Sequence, residues 1–172
     1  LRREIARRAA ELAERLPPAR WVPVENLHLT LSFLGATDEA RIPGLVAAVR
    51  SAFAGRGCLE LEAAGGGTFP PGRPARIAWV GIRSGPELDA LQREVAAAAR
   101  GELALEPERR PFHAHVTLAR PRHPWDRRAS EELVAAFAGS LAEPFTVEDG
   151  VLYRSDLGPG GAVYHAVERF PL

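Results

Sequence analysis

The sequence contains the same short pattern twice, as HLTL at residues 28–31 and as HVTL at residues 115–118. In an extended strand, successive side chains point to opposite faces. The histidine and threonine of each copy therefore share one face, and the apolar residues share the other. We expect two strands that each present an imidazole and a hydroxyl group beside an apolar core face.

A single His-x-Thr segment is typical of a half-exposed strand and carries little information. Here the two copies have matched apolar neighbours and lie in different halves of the chain. If the halves pack about a pseudo-twofold axis, both histidines and both threonines line one cleft. The repetition therefore favours a shared functional site over two unrelated polar strand faces.

Paired histidines are suited to proton transfer. The ordinary pKa of histidine is about 6.5, so two imidazoles can hold opposite protonation states near neutral pH. One can remove a proton while the other donates one, as displacement at phosphorus requires. Threonine hydroxyls can donate hydrogen bonds to the non-bridging oxygens as charge builds there.

Periodicity and turn residues predict the elements along the chain. Helices are predicted at residues 1–16, at 86–99 before Gly101, and after Ser130 as cap. Another helix is predicted after Thr37 or Asp38 as cap, with an apolar stripe from Ile42 to Phe53. Strands are predicted around each His-x-Thr segment and at 58–63, 76–82, 145–153 and 162–170, the last two as a hairpin. The glycine run at 65–67 is predicted to lie in a loop. This order predicts an α+β fold.

Composition excludes several classes of protein. The 22 basic residues are all arginine and balance 22 acidic residues, so overall charge gives no case for a general polyanion binder. Cys58 is the single cysteine, which excludes an intrachain disulfide and a cysteine-based metal cluster. No apolar run reaches the roughly 20 residues of a membrane span, and the first residues do not resemble a signal peptide. A cytoplasmic location is expected.

Longer segments around the two patterns carry a family resemblance. NLHLTLSFLG and PFHAHVTLAR resemble the two signature strands of the two-histidine (2H) phosphoesterase superfamily, in its RNA 2′,3′-cyclic phosphodiesterase (2′–5′ RNA ligase) branch. The resemblance extends through GTFPPGRPARIAWVGI and the C-terminal segment. It implies one domain over residues 1–172, with two pseudo-symmetric lobes of antiparallel sheet and flanking helices around a central cleft.

The same resemblance implies a function and a set of site residues. The activity would be hydrolysis of RNA 2′,3′-cyclic phosphate ends to 2′-phosphates, together with reversible 2′–5′ ligation, without a metal or other cofactor. His28 would be the general acid and His115 the general base, while Thr30, Thr117 and Arg120 would bind phosphate. Strict alternation places Arg120 on the face opposite His115, so this role requires a bend or bulge at the strand end.

The roles of two further side chains near the patterns, Phe33 and His113, are not assigned by the patterns themselves. Phe33 has the same offset from His28 as Arg120 has from His115. It could stack on a base, but core packing is the favoured interpretation. His113 shares a strand face with His115, yet zinc would need a further ligand that the sequence does not cluster nearby. His113 is therefore expected at the rim of the cleft.

The expected partners are RNA 3′ ends or tRNA halves with a 2′,3′-cyclic phosphate, or nucleoside cyclic phosphates. The protein is expected to be a monomer and not to associate with membranes. Two alternatives remain: a module that binds nucleotides or RNA ends without turnover, and a 2H esterase for a small cyclic nucleotide derivative.

The chain departs from the family in lacking an apolar strand before the first helix and in having Ala114 where a proline is usual. Local arginines around the cleft would favour RNA: Arg73, Arg76, Arg109, Arg110, Arg120 and Arg122.

Overall fold

The computed structural model describes residues 1–108, 110–159 and 161–172, and within them it has four α-helices and seven strands. The helices are α1 (Arg2–Ala13), α2 (Ile42–Phe53), α3 (Pro86–Leu103) and α4 (Arg127–Ala136). The strands are β1 (Ala19–Trp21), β2 (Leu59–Phe69), β3 (Ile77–Ser84), β4 (His115–Pro121), β5 (Phe145–Val147), β6 (Asp149–Gly158) and β7 (Gly161–Pro171). The predicted α+β class is confirmed. Over the described part of the chain, no helix combines the length and apolarity of a membrane span.

The strands form two sheets. Five of them lie in the order β1-β4-β3-β2-β5, with antiparallel pairing of β4 to both β1 and β3. The other sheet is the antiparallel hairpin of β6 and β7, which confirms the predicted hairpin; Gly160, which the prediction included, lies outside the described residues.

The chain divides into two compact units, each assembled from three chain segments. The first unit comprises residues 1–30, 61–83 and 113–145, and the second comprises residues 31–60, 84–112 and 146–172. The compact units therefore do not coincide with the two halves of the sequence. Both His-x-Thr segments belong to the first unit.

The first unit has its core on one face of the sheet. On β3, the alternate residues Ala78 and Val80 are fully buried, as sequence periodicity predicts for a strand with one core face. Leu12 of α1 and Leu133 of α4 are also buried. Each such leucine contributes about 1.5–3 kcal/mol through removal of its side chain from water.

The second unit places α2 against α3 and β7. The rings of Phe53 and Phe170 stack with centroids 5.3 Å apart, and both are buried. Gly150 of β6 leaves room for Phe53, because a Cβ at position 150 would overlap that ring. The apolar stripe predicted for α2 is buried here, including Leu45 and Val49.

The prediction that the glycine run lies in a loop is wrong, since Gly65, Gly66 and Gly67 belong to β2. The physical reason is a close tertiary contact. A Cβ on Gly67 would overlap the indole of Trp79 on the neighbouring strand, so only glycine lets that ring lie against the sheet. Gly81 is similarly constrained, because its Cβ would lie 2.7 Å from the carbonyl oxygen of Ala64.

Two predicted helix boundaries are also wrong. Helix α3 continues through Gly101 to Leu103, and the left-handed residue after it is Ala104, at φ 53°. Helix α4 is capped by the Asp126 side chain, which accepts a hydrogen bond from the amide of Ala129, and not by Ser130. A β-bridge between Ala75 and Trp125 holds the chain extended up to residue 125, so the helix starts directly afterwards.

The first His-x-Thr segment is not a full strand. Val24–Asn26 forms a 3₁₀ turn, and only Leu29 then pairs with β4, through an isolated antiparallel bridge to Val116. The reason is limited space along the edge of β4. The C-terminal half of β4 already pairs with β1, which leaves only its first residues for the His-x-Thr segment.

Candidate active site

The bridge between Leu29 and Val116 brings the two His-x-Thr segments side by side. Antiparallel pairing at this bridge places His28 across from Thr117, and Thr30 across from His115. Residues directly opposite in such a pair share a face, with Cβ atoms roughly 4.5–5.5 Å apart. The structure therefore brings both imidazoles and both hydroxyl groups together on one face of the first unit. All four side chains are half-buried.

The two histidines are held by the same local hydrogen bond. Nδ1 of His28 lies 2.7 Å from the carbonyl oxygen of Asn26, and Nδ1 of His115 lies 2.6 Å from the carbonyl oxygen of His113. Because a carbonyl only accepts, each Nδ1 carries the hydrogen of the neutral ring. Nε2 is then the nitrogen that can accept or donate a proton in each imidazole.

Strand β3 extends this face on the other side of β4. Trp79 lies opposite Thr117, and Gly81 lies opposite His115. The face therefore has two cross-strand rows, Thr30–His115–Gly81 and His28–Thr117–Trp79. Gly81 leaves the area beside His115 without a side chain, which keeps the imidazole accessible.

An aromatic cluster surrounds His115 and was not predicted from the sequence. The ring centroid of Phe69 lies 5.2 Å from that of His115, and Trp79 lies 4.5 Å from His113 in an edge-on arrangement. Among the described residues, the Trp79 indole nitrogen is the one buried side-chain polar atom without a hydrogen-bond partner. The alternation of Trp79 with buried Ala78 and Val80 was the available signal, since it directs the indole to the site face.

His113 lies on this cluster, with its ring centroid 6.0 Å from that of His115. Partial burial lowers the pKa of His113, and repulsion from His115 lowers it further. His113 also lines a shallow pocket of about 240 Å³ with Trp79 and Arg83. In the described part of the chain, no three His, Cys, Asp or Glu side chains are grouped closely enough to bind one metal ion.

A β-bulge sets the direction of Arg120. The register between β3 and β4 shifts so that Ala78 pairs with Ala119 while Trp79 pairs with Thr117, which leaves Leu118 as an extra residue. Leu118 and Ala119 are consecutive and both buried. Alternation is therefore reset, and exposed Arg120 returns to the face of Thr117 and His115. This is the irregularity that a role for Arg120 at the site requires.

The favoured interpretation of Phe33 as a core residue is wrong, because its side chain is 81% exposed. Phe33 follows the single bridge at Leu29, in a stretch that belongs to no strand. Without a strand partner, alternation no longer directs its side chain into a core. Of the local arginines, Arg73, Arg76 and Arg122 are exposed in the first unit, Arg110 lies in the second, and Arg109 lies outside the described residues.

The model of the 2′-5′ RNA ligase superfamily matches residues 1–159 of this chain. The chain belongs to this superfamily. Curated relatives agree. A Geobacillus stearothermophilus protein named RNA 2′,3′-cyclic phosphodiesterase is 32% identical over 171 residues, which are 98% of this chain and 52% of that protein. A Methanothermobacter thermautotrophicus protein of the same name is 30% identical over 153 residues, or 89% of this chain and 82% of that protein. The chain thus spans about half the length of the first relative.

Solved crystal structures share the fold of this chain. A crystal structure of a Thermus thermophilus protein has a TM-score of 0.82 at 25% identity, covering 99% of this chain and 91% of that one. E. coli LigT in complex with 3′-AMP has a TM-score of 0.75 at 24% identity, covering 98% and 91%. The 2H phosphoesterase fold expected from the two signature segments is therefore confirmed.

Proposed function

We propose that this protein is a phosphodiesterase that opens the 2′,3′-cyclic phosphate at the 3′ end of RNA to a 2′-phosphate. One observation carries the proposal: the antiparallel bridge at Leu29 places two His–Thr pairs together on one sheet face. Proton removal and proton donation thereby become available at one site. The names of the Geobacillus and Methanothermobacter relatives support the substrate class.

The reaction needs two proton transfers. His115 accepts a proton at Nε2 from water, whose oxygen forms the new bond to phosphorus. His28, protonated at Nε2, donates its proton to the departing 3′ oxygen as the bond between phosphorus and that oxygen breaks. The roles follow the family resemblance, because the two His–Thr pairs have nearly equivalent geometry. Proton exchange with solvent then restores both imidazoles.

The remaining site residues act on the phosphate. Thr30 and Thr117 donate hydroxyl hydrogen bonds to the non-bridging oxygens, and Arg120 supplies positive charge from the end of β4. Removal of one donor to a developing oxyanion costs roughly 10²–10³-fold in rate in well-studied enzymes. If the 5′-hydroxyl of another RNA replaces water as the nucleophile, the same displacement of the 3′ oxygen forms a 2′–5′ linkage.

The proposal is tested with each nucleoside 2′,3′-cyclic monophosphate and with a short RNA that ends in a cyclic phosphate. Phosphorus NMR should identify a 2′-phosphate product. His28→Ala and His115→Ala should each lower the rate by about 10²-fold or more, with the circular dichroism spectrum unchanged. A dominant 3′-phosphate, or near-normal turnover in either variant, contradicts the mechanism. Binding without turnover in the wild type would instead identify a binding module.

In the proposed mechanism, imidazoles carry out both proton transfers, one as acceptor and one as donor. Turnover should therefore not depend on a metal ion. Initial rates before and after dialysis against EDTA should agree. A loss that zinc or manganese restores would overturn the metal-independent mechanism and would direct attention to His113, beside His115.

A further inference from the structure

The site face continues beyond His115, on the side away from His28. Gly81 of β3 pairs with His115, and strand alternation directs Arg83, two residues later, to the same face. His113 precedes His115 by two residues and lines the same shallow pocket of about 240 Å³ as Arg83. His113 and Arg83 therefore form a row that follows the His115 row, away from His28.

An indole ring also lines this pocket. Trp79 starts opposite Thr117, but its ring reaches toward the new row, with its centroid 4.5 Å from that of His113 and 6.1 Å from that of His115. Gly81 lines the pocket without a side chain, so a flat group can approach the backbone beside the indole. All residues that line the pocket belong to the first unit.

The indole of Trp79 has a cost in stability. Its nitrogen is buried and has no hydrogen-bond partner among the described residues, whereas the indole nitrogen of Trp125 donates to the carbonyl oxygen of Pro17 at 3.0 Å. A buried donor that lacks a partner destabilises the folded state. A large ring at this position, on a face that carries histidines and threonines, is therefore better explained by contact with a ligand than by folding.

The size and composition of the pocket suit one nucleobase. Its volume lies below the roughly 300–1,000 Å³ of sites for drug-sized ligands, so it suits a single flat ring system. Bases of single-stranded RNA stack on tryptophan and histidine rings. Arg83 is exposed, and its contact with Glu62 at 3.6 Å is a weak surface ion pair. The guanidinium is therefore available to a phosphate beside the base.

The proposed mechanism places the attacking group at this end of the face. His115 must lie within hydrogen-bond reach of the oxygen whose proton it takes. In-line attack puts that oxygen opposite the departing 3′ oxygen, which lies next to His28. When the nucleophile is a 5′-hydroxyl, the nucleoside that carries it therefore extends from His115 away from His28, toward the pocket lined by Trp79 and His113.

We infer that this pocket binds the first nucleoside of the RNA that supplies the 5′-hydroxyl in 2′–5′ ligation, with its base on Trp79 and His113 and its 3′-phosphate at Arg83. The inference rests on the function proposed above and adds a site for the second substrate. The 5′ oxygen forms a bond to phosphorus and gives its proton to Nε2 of His115. The bond from phosphorus to the 3′ oxygen breaks, and that oxygen takes the proton of His28. Occupancy of the pocket thus favours ligation over hydrolysis.

The test measures how one donor RNA divides between water and an added alcohol. The donor is a short RNA with a terminal 2′,3′-cyclic phosphate and a 5′-phosphate, so it cannot itself supply a 5′-hydroxyl. The alcohols are the dinucleotide ApA, adenosine and methanol. The readout is the ratio of the alcohol's diester product to the 2′-phosphate. Because the donor and both catalytic histidines are shared, changes in the common chemistry cancel in this ratio.

In the wild type, ApA at equal concentration should give a ratio about tenfold or more above that of methanol, as one base–aromatic stack provides. Trp79→Leu should remove most of this advantage without changing the ratio for methanol, and Trp79→Phe, which keeps a ring, should retain part of it. Arg83→Gln should lower the ratio for ApA but not for adenosine, which has no 3′-phosphate. Arg128→Gln, at an exposed position of α4, is the matched control and should leave every ratio unchanged. ApA with a 5′-phosphate should give no diester.

The possible outcomes separate this inference from the proposed function. If the wild type forms neither product, the proposed function fails, and the acceptor site fails with it. Hydrolysis without preferential capture of ApA overturns the acceptor site alone. So does a Trp79→Leu variant with unchanged ratios, since a pocket that held the donor's own base would slow all reactions alike. An equal effect of Arg83→Gln and Arg128→Gln would also overturn it. If Trp79→Leu does not fold, as judged by circular dichroism, Trp79→Phe and the exposed Arg83→Gln decide the question.

Discussion

At the scale of single residues, the decisive feature is the orientation of two imidazoles. Each Nδ1 donates to the carbonyl oxygen two positions earlier, of Asn26 for His28 and of His113 for His115. Strand alternation predicted from the sequence that each histidine shares a face with its threonine. It could not predict the hydrogen bond at Nδ1, because that depends on the direction of a backbone carbonyl just before each strand segment. The reacting nitrogen, Nε2, follows only from the structure.

His113 tests the electrostatics of this arrangement. Its pKa should lie below the ordinary value of 6.5, because burial and the nearby His115 both disfavour the imidazolium form. A lowered pKa means that His113 loses its proton at lower pH than a free imidazole, so it adds little positive charge beside His115 at neutral pH. NMR titration of the ring resonances measures this directly.

The two causes can be separated with one variant. In His115→Gln, the pKa of His113 should rise only in part, because burial is the larger cause. His123→Gln, at an exposed position, is the control and should leave the titration unchanged. A titration midpoint of His113 at or above 6.5 in the wild type would contradict the lowered pKa. If the pKa of His113 returned fully to 6.5 in His115→Gln, repulsion and not burial would be the larger cause.

At the scale of the elements, local patterns predicted most strands but failed where a distant side chain decides the conformation. The alternating segments β3 and β4 and the β6–β7 hairpin follow directly from periodicity. The glycine run was predicted as a loop because the sequence does not show that the indole of Trp79, on the next strand, lies against Gly67. The bulge at Leu118 belongs to the same class, since it exists only in the pairing with β3. The sequence indicated that a role for Arg120 at the site requires a bulge, but it could not show where the bulge lies.

The start of α4 allows a direct comparison of two candidate caps. The Asp126 side chain accepts a hydrogen bond from the amide of Ala129, at 2.9 Å, whereas the Ser130 hydroxyl donates to the backbone oxygen of Asp126 from within the first turn. Asp126→Ala should therefore lower the free energy of unfolding by about 1 kcal/mol. Ser130→Ala is the matched control and should cost less. Urea unfolding of both variants measures the difference, and a larger loss in Ser130→Ala would reverse the assignment of the cap.

At the scale of the whole molecule, the site depends on contacts between segments that are remote in sequence. His28 lies in the first chain segment of the first unit, and His115 lies in its third. The sequence predicted the four paired residues because the same pattern occurs twice. It could not predict that Arg20 lies opposite Arg120, because this depends on the register of β1 on β4. Pairing between remote strands is the information that a single sequence lacks.

Because the two His–Thr pairs are nearly equivalent, the geometry alone does not assign the general acid and the general base. A leaving-group experiment tests the proposed assignment. If His28 is the acid, its proton stabilises the departing 3′ oxygen, and a substrate with a good leaving group at that position needs little protonation. Such a substrate should restore much of the rate in His28→Ala. It should not restore His115→Ala, because water still has to lose a proton as it attacks phosphorus. The measurement is the ratio of kcat/KM for the activated and natural substrates in each variant, with the wild type as reference. Rescue of His115→Ala alone would reverse the two roles, and equal rescue of both would show that neither histidine acts as a dedicated acid.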